Sequence, residues 1–174
     1  MKTFGGKVIF LDRSDINTDE IIPARYLTEV SKEALAPHLF EDLKLDGFHG
    51  SRDLEQNGAV LTRANFGCGS SREHAVWALE MNDIHLVMAE SFARIFRQNM
   101  FNCGMLAVEL PSPTIDSLFD TFREQETRLV TDLENRRILF TAQNARKSVT
   151  FRIAAFDLAL VKAGGWLEFA EANY

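Results

Sequence analysis

The chain has 174 residues, 46% hydrophobic and 25% charged, with a formal net charge of −6 at pH 7. That is the balance of a globular protein with enough core for one domain, and its acidity excludes the basic field on which nucleic-acid binding depends. No apolar run approaches the roughly 18 residues of a bilayer span, and Val8–Leu11 in the opening MKTFGGKVIFLDRSD is too short for a signal peptide, so a cytoplasmic protein is expected.

In chain order, Lys7–Leu11 (KVIFL) predicts a first strand. DRSDINTDEIIPARYL follows, rich in Asp, Asn, Ser and Thr before a Pro, and predicts a chemically equipped loop without regular structure. Ser31, with Glu33 close behind, predicts a capped amphipathic helix over SKEALAPHLFEDL that Pro37 shortens or kinks. Lys44–Asn57 reads as an exposed connector. Ala59–Thr62 predicts a buried strand, and REHAVWALEMN a helix starting at Arg72. Ile84–Ala89 predicts a strand, Ser91–Asn102 a helix stopped by Gly104, and Met105–Leu110 another strand. This alternation is the grammar of a parallel sheet with crossover helices. Pro111 and Pro113 punctuate that unit before a short helix over Ile115–Arg123. RLVTDL, RRILFTA and KSVTFRI then predict an antiparallel meander, and Asp157–Ala163 a closing helix stopped by Gly164-Gly165. The expected fold is α/β: one compact domain over residues 1–174, with a partly parallel sheet, crossover helices and additional antiparallel strands.

The stretch NFGCGSSREHA, Asn65–Ala75, concentrates the chemistry. Gly67 and Gly69 free the backbone to turn, and Ser70 at the cap of a helix beginning with Arg72 would leave first-turn amides pointing at a ligand. Ser70-Ser71-Arg72-Glu73 also matches S-x-x-E, a capping box that needs no function. Arg72 argues against that plain explanation, because a cation in the first turn opposes the helix dipole. Beside unpaired amides and two hydroxyls, an arginine suits an arriving anion. The segment lacks the lysine of a phosphate loop, the third glycine of a dinucleotide fingerprint and the spacing of a nucleophile elbow. A carboxylate is the better expectation. Asn17-Thr18-Asp19-Glu20 also follows a strand, so if the two strands are neighbours, one sheet edge presents Asp19, Ser70, Ser71 and Arg72 to a small molecule.

Cys68 and Cys103 are the only cysteines. They cannot form a disulfide framework, a zinc site without histidine help, or the thiolate set of an iron–sulfur cluster, so no metal ligand is expected. A stand-alone serine or cysteine hydrolase would need a histidine base near Ser70 or Cys68, and only His74 is at hand, where packing or a supporting hydrogen bond is the plainer role. Phe92, Ile95, Phe96 and Met100 recur at helical spacing and are expected in the core. Arg94 and Arg97 face either a partner or solvent. Trp77 and Trp166 are expected to pack.

NFGCGSSREHA, with DRSDINTDEIIPARYL before it and SFARIFRQN after it, resembles the small subunits of 3-isopropylmalate dehydratases, the swivel-domain branch of the aconitase superfamily. Asn17 is a mild departure from the family's D-T-D-E-I-I-P-A. The resemblance implies a β/β/α swivel-type domain that works with a large subunit carrying a [4Fe–4S] cluster, no cofactor being bound by this chain itself. It implies Ser70 as the catalytic base, and Ser71 and Arg72 as holders of a substrate carboxylate, with Asp19 lining the site. It places specificity in Tyr26, Leu27 and Thr28. Relatives that accept a tricarboxylate carry arginine at the position of Thr28, so an apolar substituent is expected here, with Arg25 as a complication. The implied alternatives are a homoaconitase, citramalate or dimethylmalate small subunit, or a carboxylate-binding module without catalysis.

Overall fold

The apolar runs of the sequence assemble into one mixed sheet in a computed structural model that describes residues 2–54 and 57–174. The chain passes through β1 (Gly6–Phe10), α1 (Thr18–Ile21), α2 (Gly50–Asp53), β2 (Asn57–Leu61), α3 (His74–Glu80), β3 (Leu86–Ala89) and α4 (Arg94–Asn102). It continues with β4 (Leu106–Glu109), α5 (Ser112–Phe122), β5 (Arg128–Asp132), β6 (Arg137–Ala142), β7 (Ala145–Thr150), α6 (Ala155–Ala163) and α7 (Trp166–Asn173). Among the described residues the strand order is β4-β3-β2-β1-β5-β6-β7. β1 to β4 run parallel to one another, while β5 pairs antiparallel with β1 and leads into the antiparallel meander β5-β6-β7.

Burial follows this division. β3 is buried along its whole length, as a parallel strand covered on both faces must be, whereas β7 alternates half-buried and exposed residues. Phe40, Phe66, Phe101, Phe119, Phe122 and Phe140 are fully buried, so the phenylalanine-rich composition fills core volume without polar tips to satisfy. α4 turns Phe96, Met100 and Phe101 inward, and each such side chain contributes about 1.5–3 kcal/mol on burial. Gly104 ends α4 as expected: its N–H donates to the Phe101 carbonyl and that of Met105 to the Met100 carbonyl, both at 2.9 Å.

Several expectations need correction. The stretch after β1 is not free of regular structure, since Asn17 caps the one-turn helix α1 and Ala24–Tyr26 forms a 3-10 turn. Ser31 Oγ does accept from the Ala34 N–H at 3.2 Å, but the helix behind it is a 3-10 segment, Glu33–His38, because Pro37 cannot continue an α-helical ladder. The connector before β2 contains α2, and Glu55 and Gln56 within it lie outside the described residues. Pro111 and Pro113 open α5, where a missing N–H costs nothing. Gly164-Gly165 stop α6 but do not close the chain, since α7 follows. Ile95 is 53% exposed and so is not a core residue, whereas Trp166 packs at the surface against the Phe156 and Phe169 rings.

Candidate active site

The site begins with a cap. Asn17 Oδ1 accepts from the Glu20 N–H at 3.0 Å, and Glu20 Oε1 accepts from the Asn17 N–H at 3.2 Å. This reciprocal capping box fixes the single turn of α1, and the Arg13 guanidinium pairs with the same Glu20 oxygen. Asn and Asp cap about equally well, so Asn17 at the motif's first position preserves the geometry. Asp19 is held on this turn with its side chain 63% exposed.

The glycine-serine segment follows β2, the parallel neighbour of β1, so the two loops leave the same edge of the sheet. They are stitched together there. The Gly67 N–H donates to the Ile16 carbonyl and the Thr18 N–H to the Cys68 carbonyl, both at 2.8 Å. The Ser70 N–H donates to Thr18 Oγ1 at 3.1 Å. Gly67, at φ +81°, has no room for a side chain, because a Cβ there would overlap the Phe96 ring. Gly69, at φ +103°, lies over Thr18. On the other side, the Phe66 N–H donates to the Ser91 carbonyl at 3.1 Å, and Asn99 Nδ2 of α4 donates to the Ser71 carbonyl at 3.3 Å.

This stitching moves the helix start. α3 begins at His74, its N-cap is Glu73, and no side chain caps it. Ser70 is therefore not a cap, the S-x-x-E match forms no capping box, and Arg72 precedes the first turn. The Ser70 amide is also already engaged by Thr18. The physical cause is the set of hydrogen bonds to Ile16 and Thr18, which holds residues 67–70 in a non-helical, glycine-turned path beside α1. Ser70 and Ser71 are thereby displayed to solvent. The Ser71 and Arg72 amides donate to no protein acceptor among the described residues.

Arg72 is the unusual group. Its side chain is only 12% exposed, and Nη2 pairs with Asp19 Oδ1 at 2.7 Å. Nε and Nη1 are buried and have no hydrogen-bond partner. A buried donor left unpaired costs about 1–3 kcal/mol, so this fold tolerates a penalty that a ligand would remove. A guanidinium fixed by one nitrogen with two others free is suited to a carboxylate.

The remaining groups take plain roles. Burial pushes the Cys68 thiol up, as do the Asp15 and Glu20 carboxylates, and burial pushes the Cys103 thiol up to about 11. Both shifts disfavour the thiolate, which is the nucleophilic form. Among the described residues no three His, Cys, Asp or Glu side chains converge as a metal site, so this chain's donor set does not fit an iron–sulfur cluster. The His74 ring lies 4.8 Å from that of Trp77 and packs there. No helix among the described residues is long and apolar enough to cross a membrane.

Asp19, Ser70, Ser71 and Arg72 thus share one edge. Arg25 and Tyr26 lie against residues 38–42, with Leu27 half-buried and Thr28 exposed after them. The Tyr26 ring stacks on His38 at 3.8 Å, and Arg25 forks onto Asp42 at 3.0 and 3.1 Å and reaches Glu41 at 2.8 Å. Sequence reasoning missed Thr18, Glu20 and Asn99 as organisers of the site. The N-x-x-E capping pattern was visible for Glu20, but the acceptors of Thr18 and Asn99 are distant in sequence and leave no local signal.

Comparison with known proteins finds relatives along most of the chain. The aconitase C-terminal domain matches residues 1–113. The chain is 40% identical over 162 residues to the 3-isopropylmalate dehydratase small subunit of Deinococcus deserti, covering 92% of this chain and 83% of that one. It is 42% identical over 164 residues to 3-isopropylmalate dehydratase small subunit 2 of Deinococcus radiodurans, covering 92% and 73%. A crystal structure of 3-isopropylmalate dehydratase from Methanocaldococcus jannaschii superposes with a TM-score of 0.79 at 26% identity, over 97% of this chain and 93% of that one. The chain belongs to the aconitase C-terminal domain family, within its group of 3-isopropylmalate dehydratase small subunits.

Proposed function

We propose that this chain is the small subunit of a heteromeric hydro-lyase, 3-isopropylmalate dehydratase. The enzyme interconverts 2-isopropylmalate and 3-isopropylmalate by dehydration and rehydration, in leucine biosynthesis. The observation that carries the proposal is the half-satisfied Arg72 guanidinium beside two displayed serines. Residues 1–174 act as one swivel-type domain in the cytoplasm. The [4Fe–4S] cluster belongs to the large subunit, in keeping with the poor donor set here.

This chain's own share of the reaction is to bind a carboxylate and move a proton. The substrate carboxylate lies on the free edge of Arg72 and accepts from Ser71. Ser70 takes the proton from the carbon next to that carboxylate and returns it in the reverse direction. A serine hydroxyl is a weak base, so its alkoxide needs stabilisation. The Arg72 charge and the unengaged Ser71 and Arg72 amides supply it once a partner has excluded water. Asp19 is an orienting residue, because it holds the guanidinium by one nitrogen and leaves the others for substrate.

An apolar substituent follows from the surroundings of Arg25. Its cation is neutralised by Asp42 and Glu41, and Thr28 offers no charge in its place. A third carboxylate on the substrate would therefore find no partner in this loop. The test is anaerobic reconstitution with the large subunit, assayed on 2-isopropylmalate, citramalate, dimethylmalate and homoaconitate. Activity preferring the isopropyl compound is expected, and no activity on any of them contradicts the assignment.

A further inference from the structure

The helical spacing of Phe92, Ile95, Phe96 and Met100 places Ile95 inside, yet it is 53% exposed. The core stripe of α4 is Phe96, Met100 and Phe101, and Ile95 falls on the adjoining face with Gln98 and Asn99. This face walls a cavity of about 630 Å³ floored by Phe92. Arg94, beside it, is exposed and makes no ion pair among the described residues, whereas Arg97 pairs with Glu109 at 3.5 Å. An exposed arginine without an ion partner among the described residues thus lies next to an exposed isoleucine on the helix that abuts Ser71.

Taking the chain as the small subunit proposed above, we infer that the Arg94–Ile95–Gln98 face of α4 docks the cluster-bearing large subunit. The partner surface has an apolar pocket for Ile95 and a carboxylate opposite Arg94. The occupant follows from position. Whatever closes Ser70 and Arg72 off from water must lie over Ser71, and Asn99 ties α4 to the Ser71 carbonyl at 3.3 Å. Ile95 is one helical turn from Asn99, with about 5–6 Å between their Cβ atoms. A stable interface covers about 800 Å² on each partner, a patch reaching roughly 15 Å from its centre. A body centred over Ser71 therefore meets Ile95. An exposed aliphatic residue flanked by an arginine at the centre of such a patch is a suitable anchor.

The test titrates reconstituted large subunit with the full chain as wild type, Ile95→Asp, Arg94→Glu and Ser70→Ala, reading activity and association together. Because both α4 side chains are exposed, thermal melts should match wild type. Ile95→Asp should raise the half-saturating concentration at least about tenfold. Arg94→Glu should raise it about three- to tenfold, with maximal turnover retained in both. Ser70→Ala should do the reverse, losing turnover at unchanged affinity. Wild-type affinity in both α4 variants would overturn the inference, as would an effect confined to self-association of this chain. Failure of the wild-type chain to bind any large subunit would instead remove the subunit assignment itself.

Discussion

Arg72 Nη2 meets Asp19 Oδ1 at 2.7 Å, across two loops that leave neighbouring parallel strands. With Asp19 largely exposed, the pair itself adds at most about 1 kcal/mol to stability. Its value is positional. Asp19→Asn should therefore shift Tm by no more than about 2–4 °C, while substrate binding weakens several-fold as the guanidinium loses its fixed edge. Arg72→Lys should raise KM by about 10–100-fold, because an ammonium cannot copy the planar fork. Steady-state kinetics of the assembled enzyme checks both, and an unchanged KM in Arg72→Lys would count against carboxylate binding there.

The loop glycines give a graded prediction. Gly67→Ala combines a positive φ with overlap of the Phe96 ring, and should cost about 2–4 kcal/mol in urea denaturation. Gly69→Ala meets only Thr18 Oγ1, at 3.3 Å, and should cost about 1–2 kcal/mol from backbone strain. Equal effects at the two positions would contradict the packing described.

Glu80 links acid stability to the α3 end. Burial raises its carboxyl, but Lys2 and Lys32, each at 3.0 Å, outweigh burial and leave the net value below the ordinary 4.5. A carboxyl with a depressed folded-state value contributes stability that is present above about pH 4.5 and lost as pH falls through the lower folded value. Wild type should thus lose stability on acidification from pH 7 to pH 3. Glu80→Gln should be about 1–3 kcal/mol less stable at pH 7 and should show a smaller loss on acidification. Urea denaturation at the two pH values measures this.

The cysteines supply a negative control. With burial raising both thiols, iodoacetamide at pH 7 should modify Cys103 and Cys68 slowly in the folded chain. Cys68→Ala should keep turnover within a few-fold of wild type. Loss of all turnover would revive a thiol mechanism.

Much of this architecture was legible in the residues. The apolar runs before Arg63 and Glu90, with Gly104 as a stop, announced the parallel unit because hydrophobic periodicity and turn glycines are local signals. That Asp19 and Arg72 meet was conditional on β1 and β2 being neighbours, and the structure makes them so. What stayed hidden was long-range. The helix at Arg72 is delayed to His74 by hydrogen bonds to Ile16 and Thr18, some fifty residues away, which no window of sequence contains. Ile95 fits the helical spacing but not the face that α4 buries, because Phe92 lies outside the helix and the stripe is set by Phe96. The Asn17-x-x-Glu20 cap was in plain view, but the surrounding polar residues suggested a loop.

Turnover and substrate affinity of the Ser70→Ala enzyme, reconstituted with the large subunit, test the central claim most directly. Turnover should fall by about 10²–10⁴-fold while substrate still binds within a few-fold of wild type, since Arg72 and Ser71 remain in place. Near-normal turnover in that variant would show that another group moves the proton, and that the displayed serine beside Arg72 is not the base.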